Sequence, residues 1–282
     1  MWMFKKLFVC VSILVFTNHT YPQDSSLSRL IILESTLTIG AYAALSQVWY
    51  SDHEQTTFHF FNDGNAWLQQ DKMGHAFTAF HLYRMQHKLL QQNGLSQKKS
   101  FWWSAASVST FMLGIEVFDG FSRAWGASAY DVLANSAGII LAMKASEHIH
   151  FKFSYYPGVE QKHRPESLGR GISSVLKDYN AQTYWIGPRS KLLDSPVVPT
   201  IGYSARGMLG GHYNPERNRE GVYLPDLQRK RMFILSIDLN PDYFSPQRKV
   251  WKIALKIAEY IKIPTPAIYL DGEQLKASWL YF

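Results

Sequence analysis

Ser128–Glu147 reads SAYDVLANSAGIILAMKASE, and this stretch decides the architecture of the first half of the chain. The run is apolar and helix-forming, broken only by Asp131, Asn135 and Lys144. Asp131 and Asn135 are four apart and therefore share one helix face, with Gly138 one further turn on. A helix this apolar must face other helices or lipid. Its few polar side chains are then expected to meet inside a bundle, where an ionisable group is costly unless partnered.

Working outward, three more segments carry the same character. Arg29–Tyr50 is mostly apolar with Glu34 as the one internal charge, and Ser, Thr and Gln dilute it. Ala66–Gln92 has helical periodicity and stops at Asn93-Gly94, a natural terminator. Ser100–Phe118 is apolar with Glu116 near its end. Ser51–Asn65 and Asp119–Gly126 read as connecting loops. Before all of these, Lys5 and Lys6 precede the apolar run Leu7–Phe16, which is too short for a span of roughly 20 residues. It reads as a secretory signal over residues 1–23. The expectation is a bundle of about four apolar helices over residues 24–150, membrane-embedded or membrane-apposed. The chain is then exported, on the periplasmic side of a bacterial membrane or integral to it.

After His150 the pattern changes. Gln182–Ile186, Val197–Tyr203, Met232–Leu239, Ala267–Asp271 and Leu275–Phe282 read as strands separated by Gly, Pro and Asn. Leu168, Ile172, Val175 and Tyr179 repeat at helical spacing, and Arg206–Arg231 reads as a long Gly- and Arg-rich loop. Residues 151–282 are therefore expected to form a small antiparallel α+β region, and the chain as a whole is α+β.

Composition narrows the function. Charged residues make up 18% of the 282 residues, against roughly 25% in soluble globular chains. Cys10 stands alone, which excludes an intrachain disulfide framework and a cysteine zinc site. Residues 1–150 hold equal numbers of basic and acidic side chains, so the whole net charge of +7 lies after residue 150. Nucleic acid is not an expected partner for an exported chain; membrane lipid or an envelope component is.

Three pairs in the first half sit at helical spacing: Asp71 and His75, Glu116 and Asp119, Asp131 and Asn135. With Lys72 they form the candidate polar cluster. Asp71, His75, Glu116, Asp119 and Asp131 offer oxygen and imidazole ligands to a divalent metal, or a general acid–base pair. The same groups read equally as a buried network that fixes helix register, with Lys72 pairing a carboxylate. His53, His59, His81 and His87 have no second ligand at close spacing and read as ordinary loop and helix histidines.

The motifs Asp71-Lys72-x-Gly74-His75, Glu116-x-x-Asp119-Gly120-Phe121-Ser122 and Trp125-Gly126-x-Ser128-x-x-Asp131-x-x-Ala134-Asn135-x-x-Gly138 resemble the YfiM-like family of periplasmic or membrane lipoproteins. Their order is also similar to that of VanZ-like membrane proteins, which are linked to glycopeptide-antibiotic tolerance. The first resemblance extends to Phe58-His59-Phe60-Phe61, Lys152-Phe153-Ser154, His163-Arg164-Pro165 and Lys177–Trp185. It implies an envelope location and no established activity. Some members carry a lipoprotein cysteine; Cys10, early in the chain and preceded by Val9, does not fit one.

Two features remain. Arg248–Lys262 reads as a helix with Lys249, Lys252 and Lys256 on one stripe beside Val250, Ile253, Ile257 and Ile261. Such a helix lies on an anionic membrane surface or packs on the sheet with its lysines solvated. The terminal Trp279-Leu280-Tyr281-Phe282 resembles an outer-membrane β-signal, but the strands are too few for such a barrel. The sequence reading is a non-enzymatic envelope protein. Its rival is a metal-assisted hydrolase or transferase acting on a lipid or cell-wall intermediate.

Overall fold

A computed structural model describes residues 25–51 and 53–282; the expected signal, residues 1–23, lies outside them. The first half contains helices α1 (Ser25–Leu45), α2 (Gln70–Gln92), α3 (Gln97–Gly120) and α4 (Ala129–Ala145). Ser96 caps α3 by accepting from Lys99 N, and Ser128 caps α4 by accepting from Tyr130 N and Asp131 N. The expectation of a bundle of about four apolar helices is met in part: the helical first half is present, but the four helices are not equally apolar. Among the described residues, Leu30–Tyr50 and Gln97–Gly120 are the two helical stretches long and apolar enough to cross a membrane, by length and composition. α2 is polar over much of its surface, because it lies between α3, α4 and the sheet and carries the charges they enclose.

The boundary of α2 also differs from expectation. Periodicity runs from Ala66, but Trp67, Leu68 and Gln69 adopt left-handed backbone angles (φ 50°, 48° and 64°), and the α-helix begins at Gln70. Left-handed geometry costs a non-glycine residue about 1–2 kcal/mol. The surroundings hold it in place. Trp67 N donates to Gly211 O (2.7 Å), Tyr203 Oη donates to Leu68 O, and Arg231 donates to Gln69 Oε1 (2.8 Å). The strained turn sets the direction in which Asp71 and Lys72 leave the helix N-terminus.

The second half is a six-stranded antiparallel meander in sequential order: β1 (Ile149–Tyr155), β2 (Gln182–Pro188), β3 (Val197–Arg206), β4 (Lys230–Leu239), β5 (Thr265–Asp271) and β6 (Gln274–Tyr281). The sequence reading lacked β1, whose alternation is hidden by aromatic residues on one side and buried polar ones on the other. After the short α5 (Glu160–His163), the expected helix through Leu168 and Tyr179 is split into α6 (Pro165–Leu168) and α7 (Ile172–Lys177). Gly169 and Gly171, at φ 77° and 58°, break it. The lysine helix, α8 (Lys249–Ala258), ends early because Tyr260–Lys262 pairs with β1: Phe153 N donates to Tyr260 O (2.8 Å) and Lys262 N to Phe153 O (2.9 Å).

Helices and sheet share one core. Phe80 and Tyr83 of α2, Met112 of α3, Ile139 and Ala142 of α4, Phe151 of β1 and Tyr184 of β2 pack together. Helices α2 and α4 approach closely: a Cβ at Gly138 would lie 2.2 Å from Ala76 O. Only glycine lets these two backbones come so close, and that closeness brings Asp131 and Asn135 over the start of α2.

The sheet is rolled. In a flat sheet β2 and β6 would lie about 19 Å apart, at roughly 4.8 Å per strand. Yet the rings of Trp185 (β2) and Tyr281 (β6) are 5.8 Å apart, and Thr183 Oγ1 donates to Phe282 O (3.3 Å). The strands therefore curl around the face that carries Trp185.

Candidate functional site

Lys72 is the centre of the polar cluster. Its Nζ donates to Asp63 Oδ2 (2.6 Å) and Asp71 Oδ2 (2.8 Å), and pairs with Asp131 Oδ1 (2.6 Å). One ammonium thus ties the loop before α2, the first turn of α2 and the first turn of α4. His75, one turn below Asp71, donates from Nδ1 to Asn135 Oδ1 (3.1 Å). Its Nε2 lies 3.8 Å from Asp71 Oδ1 and 3.7 Å from Asp131 Oδ1, and its Nδ1 lies 3.7 Å from Glu116 Oε1. Glu116 in turn accepts from Ser128 N (3.1 Å), and Ser128 Oγ donates to Asp63.

Asp71, Lys72, His75, Glu116, Asp131 and Asn135 therefore converge. Asp119 stands one step away: Tyr50, at the end of the turn following α1, donates to its Oδ1 (2.8 Å). Three participants were not read as site residues in the sequence. Asp63 sits in a loop with no periodicity. Tyr50 belongs to another helix. Tyr179, which donates to Asp71 Oδ1 (2.7 Å), lies 108 residues further along the chain. The Asn62-Asp63-Gly64 turn was visible, but nothing in it pointed at Lys72.

Charge balance shapes the site. Among the described residues, the carboxyls of Asp63, Asp71, Glu116, Asp119 and Asp131 face the two cations Lys72 and His75, so full ionisation would leave excess negative charge in a space with little water. Burial pushes the Glu116 and Asp119 carboxyls up to about 8, with neighbouring carboxylates adding to the effect in both. Burial and the nearby Asp71 also raise Asp131. Burial works upward on Asp71 too, but His75 and Lys72 outweigh it and hold this carboxyl below its ordinary range. Burial disfavours the charged forms of Lys72 and His75, yet the surrounding acids win and both are raised. Around neutral pH the cluster thus balances itself with protons on Glu116 and Asp119.

One chemical capacity follows directly. Asp71 Oδ1, His75 Nε2 and Asp131 Oδ1 all lie within 4.8 Å of one another, a set able to ligate a divalent cation. The Lys72 ammonium, however, already occupies Asp71 and Asp131. A groove of about 430 Å³ opens beside it, lined by Gln69, Lys72, Met73, Ala134, Arg231 and Phe233 among others. Lys72 is the cluster residue on its wall; the His75 and Glu116 side chains do not line it. Two further histidines do other work: His59 Nε2 donates to Trp125 O (2.8 Å) and His81 Nε2 to Phe151 O (2.7 Å).

Residues 59–145 match a family model described as "Predicted periplasmic lipoprotein (DUF2279)". The matched stretch runs from the loop before Asp63 through α4, so it contains Asp63, Asp71, Lys72, His75, Glu116, Asp119, Asp131 and Asn135, and it stops short of Tyr179 and the sheet. This stretch is similar to an uncharacterised periplasmic family, which supports an exported, periplasmic location. No curated protein and no solved structure matches the chain.

Proposed function

We propose that this chain is a membrane-associated envelope protein with no reaction of its own, in which the Lys72 cluster is a permanent internal lock between α2, α4 and the Asp63 loop. The observation that carries this reading is the Lys72 ammonium, held within 2.8 Å of three carboxylates. A cation so enclosed has no free bond to offer a substrate. Its cost of burial is offset by attraction to the three carboxylates, and those contacts fix three segments at once. The periplasmic family match supports the location, and the motif order supports the finer YfiM-like and VanZ-like reading. Exposed apolar side chains on α1 and α4, such as Ile32, Leu37 and Leu133, support membrane association. On fractionation of cells making the wild-type chain, the protein is expected in the membrane pellet, and recovery in the soluble cytosol would sink the reading.

A metal-assisted hydrolase or transferase is the second reading, favoured by the close approach of Asp71, His75 and Asp131. The two part company on ligand linkage. A metal bound by the folded state alone raises its stability by mass action. The lock reading expects no change in melting temperature when Mn²⁺ or Zn²⁺ is added to metal-stripped protein. A rise that disappears in His75→Ala would establish the metal site.

A further inference from the structure

The sheet is inside-out for a protein in water. Strand register divides its side chains into two faces. One runs Lys152–Trp185–Gly202–Ile234–Tyr269 and, beside it, Thr200–Ser236–Ala267 across successive strands. The roll buries this face, where the polar side chains of Lys152, Ser154, Thr183, Thr200, Ser204, Ser236 and Asp238 surround a small apolar cluster of Trp185, Met232, Ile234 and Ala267. Lys152 pairs with Asp238 (2.6 Å), and Lys262 stands over the Trp185 ring at 4.5 Å. The other face is apolar. Under α2 it carries Phe151, Phe153, Tyr184 and Ile186, packed into the shared core. The same rows continue beyond the helices as Ile201, Leu235, Ile268, Leu270 and Leu275, and there the side chains are 42–70% exposed. An antiparallel sheet that meets water puts its polar residues outward. Polar inside and apolar outside is the alternation of sheets that face lipid.

We infer that the outer face of β3–β6 is a lipid-contact surface that rests in the hydrocarbon of an anionic bilayer, an inference that builds on the membrane association proposed above. Charge selects this occupant. The exposed rows of β3 to β6 on this face carry no carboxylate, and Arg231 lies at their end, itself exposed. Helix α8, between β4 and β5 in the chain, presents Lys249, Lys252 and Lys256 to solvent while Val250, Ile253 and Ile257 are exposed as well. The helix is thus not packed on the sheet through its apolar side. Its composition is that of an interfacial helix lying among anionic headgroups. A contiguous exposed apolar patch on a monomer in water marks a site of contact with a partner or a membrane.

The test is flotation of the full chain with vesicles of phosphatidylcholine alone and of phosphatidylcholine mixed with phosphatidylglycerol. Wild type is expected to float with the anionic vesicles. Leu235→Glu/Ile268→Glu, which places charge on exposed positions, is expected to lower partitioning about tenfold with an unchanged melting temperature. If that pair fails to fold, Leu235→Ser/Ile268→Ser carries the same test with a smaller loss. Lys249→Glu/Lys252→Glu/Lys256→Glu is expected to lose the preference for the anionic vesicles. Flotation of the sheet variants at the wild-type level overturns the inference while leaving membrane association standing. Failure of wild type to float on either vesicle removes both. Light scattering that shows a wild-type dimer, made monomeric by the sheet variants with flotation unchanged, assigns the face to a second copy and also overturns the inference.

Discussion

Lys72→Met is expected to destabilise the protein by about 3–5 kcal/mol, the usual cost of removing one partner from a buried ion pair. Methionine fills a similar volume, so the loss is one of charge. Asp63, Asp71 and Asp131, each now within 2.8 Å of one ammonium, would be left facing each other and His75 alone. Proton uptake relieves part of this, and Asp131, already raised by burial and by Asp71, is the group best placed to take it. The deficit should therefore be larger at pH 8 than at pH 5. Lys72→Arg should not rescue it, because a planar guanidinium cannot reproduce three contacts made around a compact ammonium. Adding Asp131→Asn to Lys72→Met should recover part of the loss, since residues in one network couple by roughly 0.5–3 kcal/mol. Denaturant midpoints of the four chains measure all of this. A Lys72→Met protein as stable as wild type would end the lock reading, and the lysine would then be free for chemistry at the groove it lines.

The parts of this cluster that could be read in the sequence are those that helical geometry places for free. Asp71 and His75, and Asp131 and Asn135, follow from a spacing of four on helices that do form. Asp63 and Tyr179 could not be read, because nothing local records which loop or distant tyrosine will fold over a helix N-terminus. The left-handed turn at Trp67–Gln69 was hidden for a related reason. It contains no glycine, and contacts from Gly211, Tyr203 and Arg231, far along the chain, hold it. The sheet shows a further limit. The alternation of Met232–Leu239 was plain, but a period of two does not say which face is outside. Met232, Ile234, Ser236 and Asp238 turn inward because the strands roll around Trp185, leaving Phe233, Leu235 and Ile237 exposed.

Stability is expected to fall as pH rises from about 5 to 8, the reverse of what salt-bridged carboxylates usually produce. Glu116 and Asp119 have ordinary values of 4.5 and 3.8 and are pushed to about 8 in the folded protein. Between those limits the folded state holds protons that the unfolded state has released. The slope of unfolding free energy with pH has the sign of protons bound unfolded minus folded, so here it is negative. Each such proton contributes about 1.4 kcal/mol per pH unit, and the raised Asp131 adds in the same direction. His75, raised in the folded state, also works this way: its contribution is present below its unfolded value of 6.5 and is lost as pH climbs through the folded one. Asp71 acts oppositely, since its carboxyl is held below 3.8 and its contribution is lost only in stronger acid. The maximum should therefore lie between about pH 4 and 6, with a decline of several kcal/mol by pH 8. Chemical denaturation across this range measures the curve. Asp119→Asn keeps a hydrogen-bond acceptor for Tyr50 while removing one titrating proton, and should flatten the decline without abolishing it. A stability that rises toward pH 8, or a slope unchanged by Asp119→Asn, would mean that these carboxyls are ionised at neutral pH. The cluster would then need a cation beyond Lys72 and His75 to balance it, which is the condition the metal reading requires.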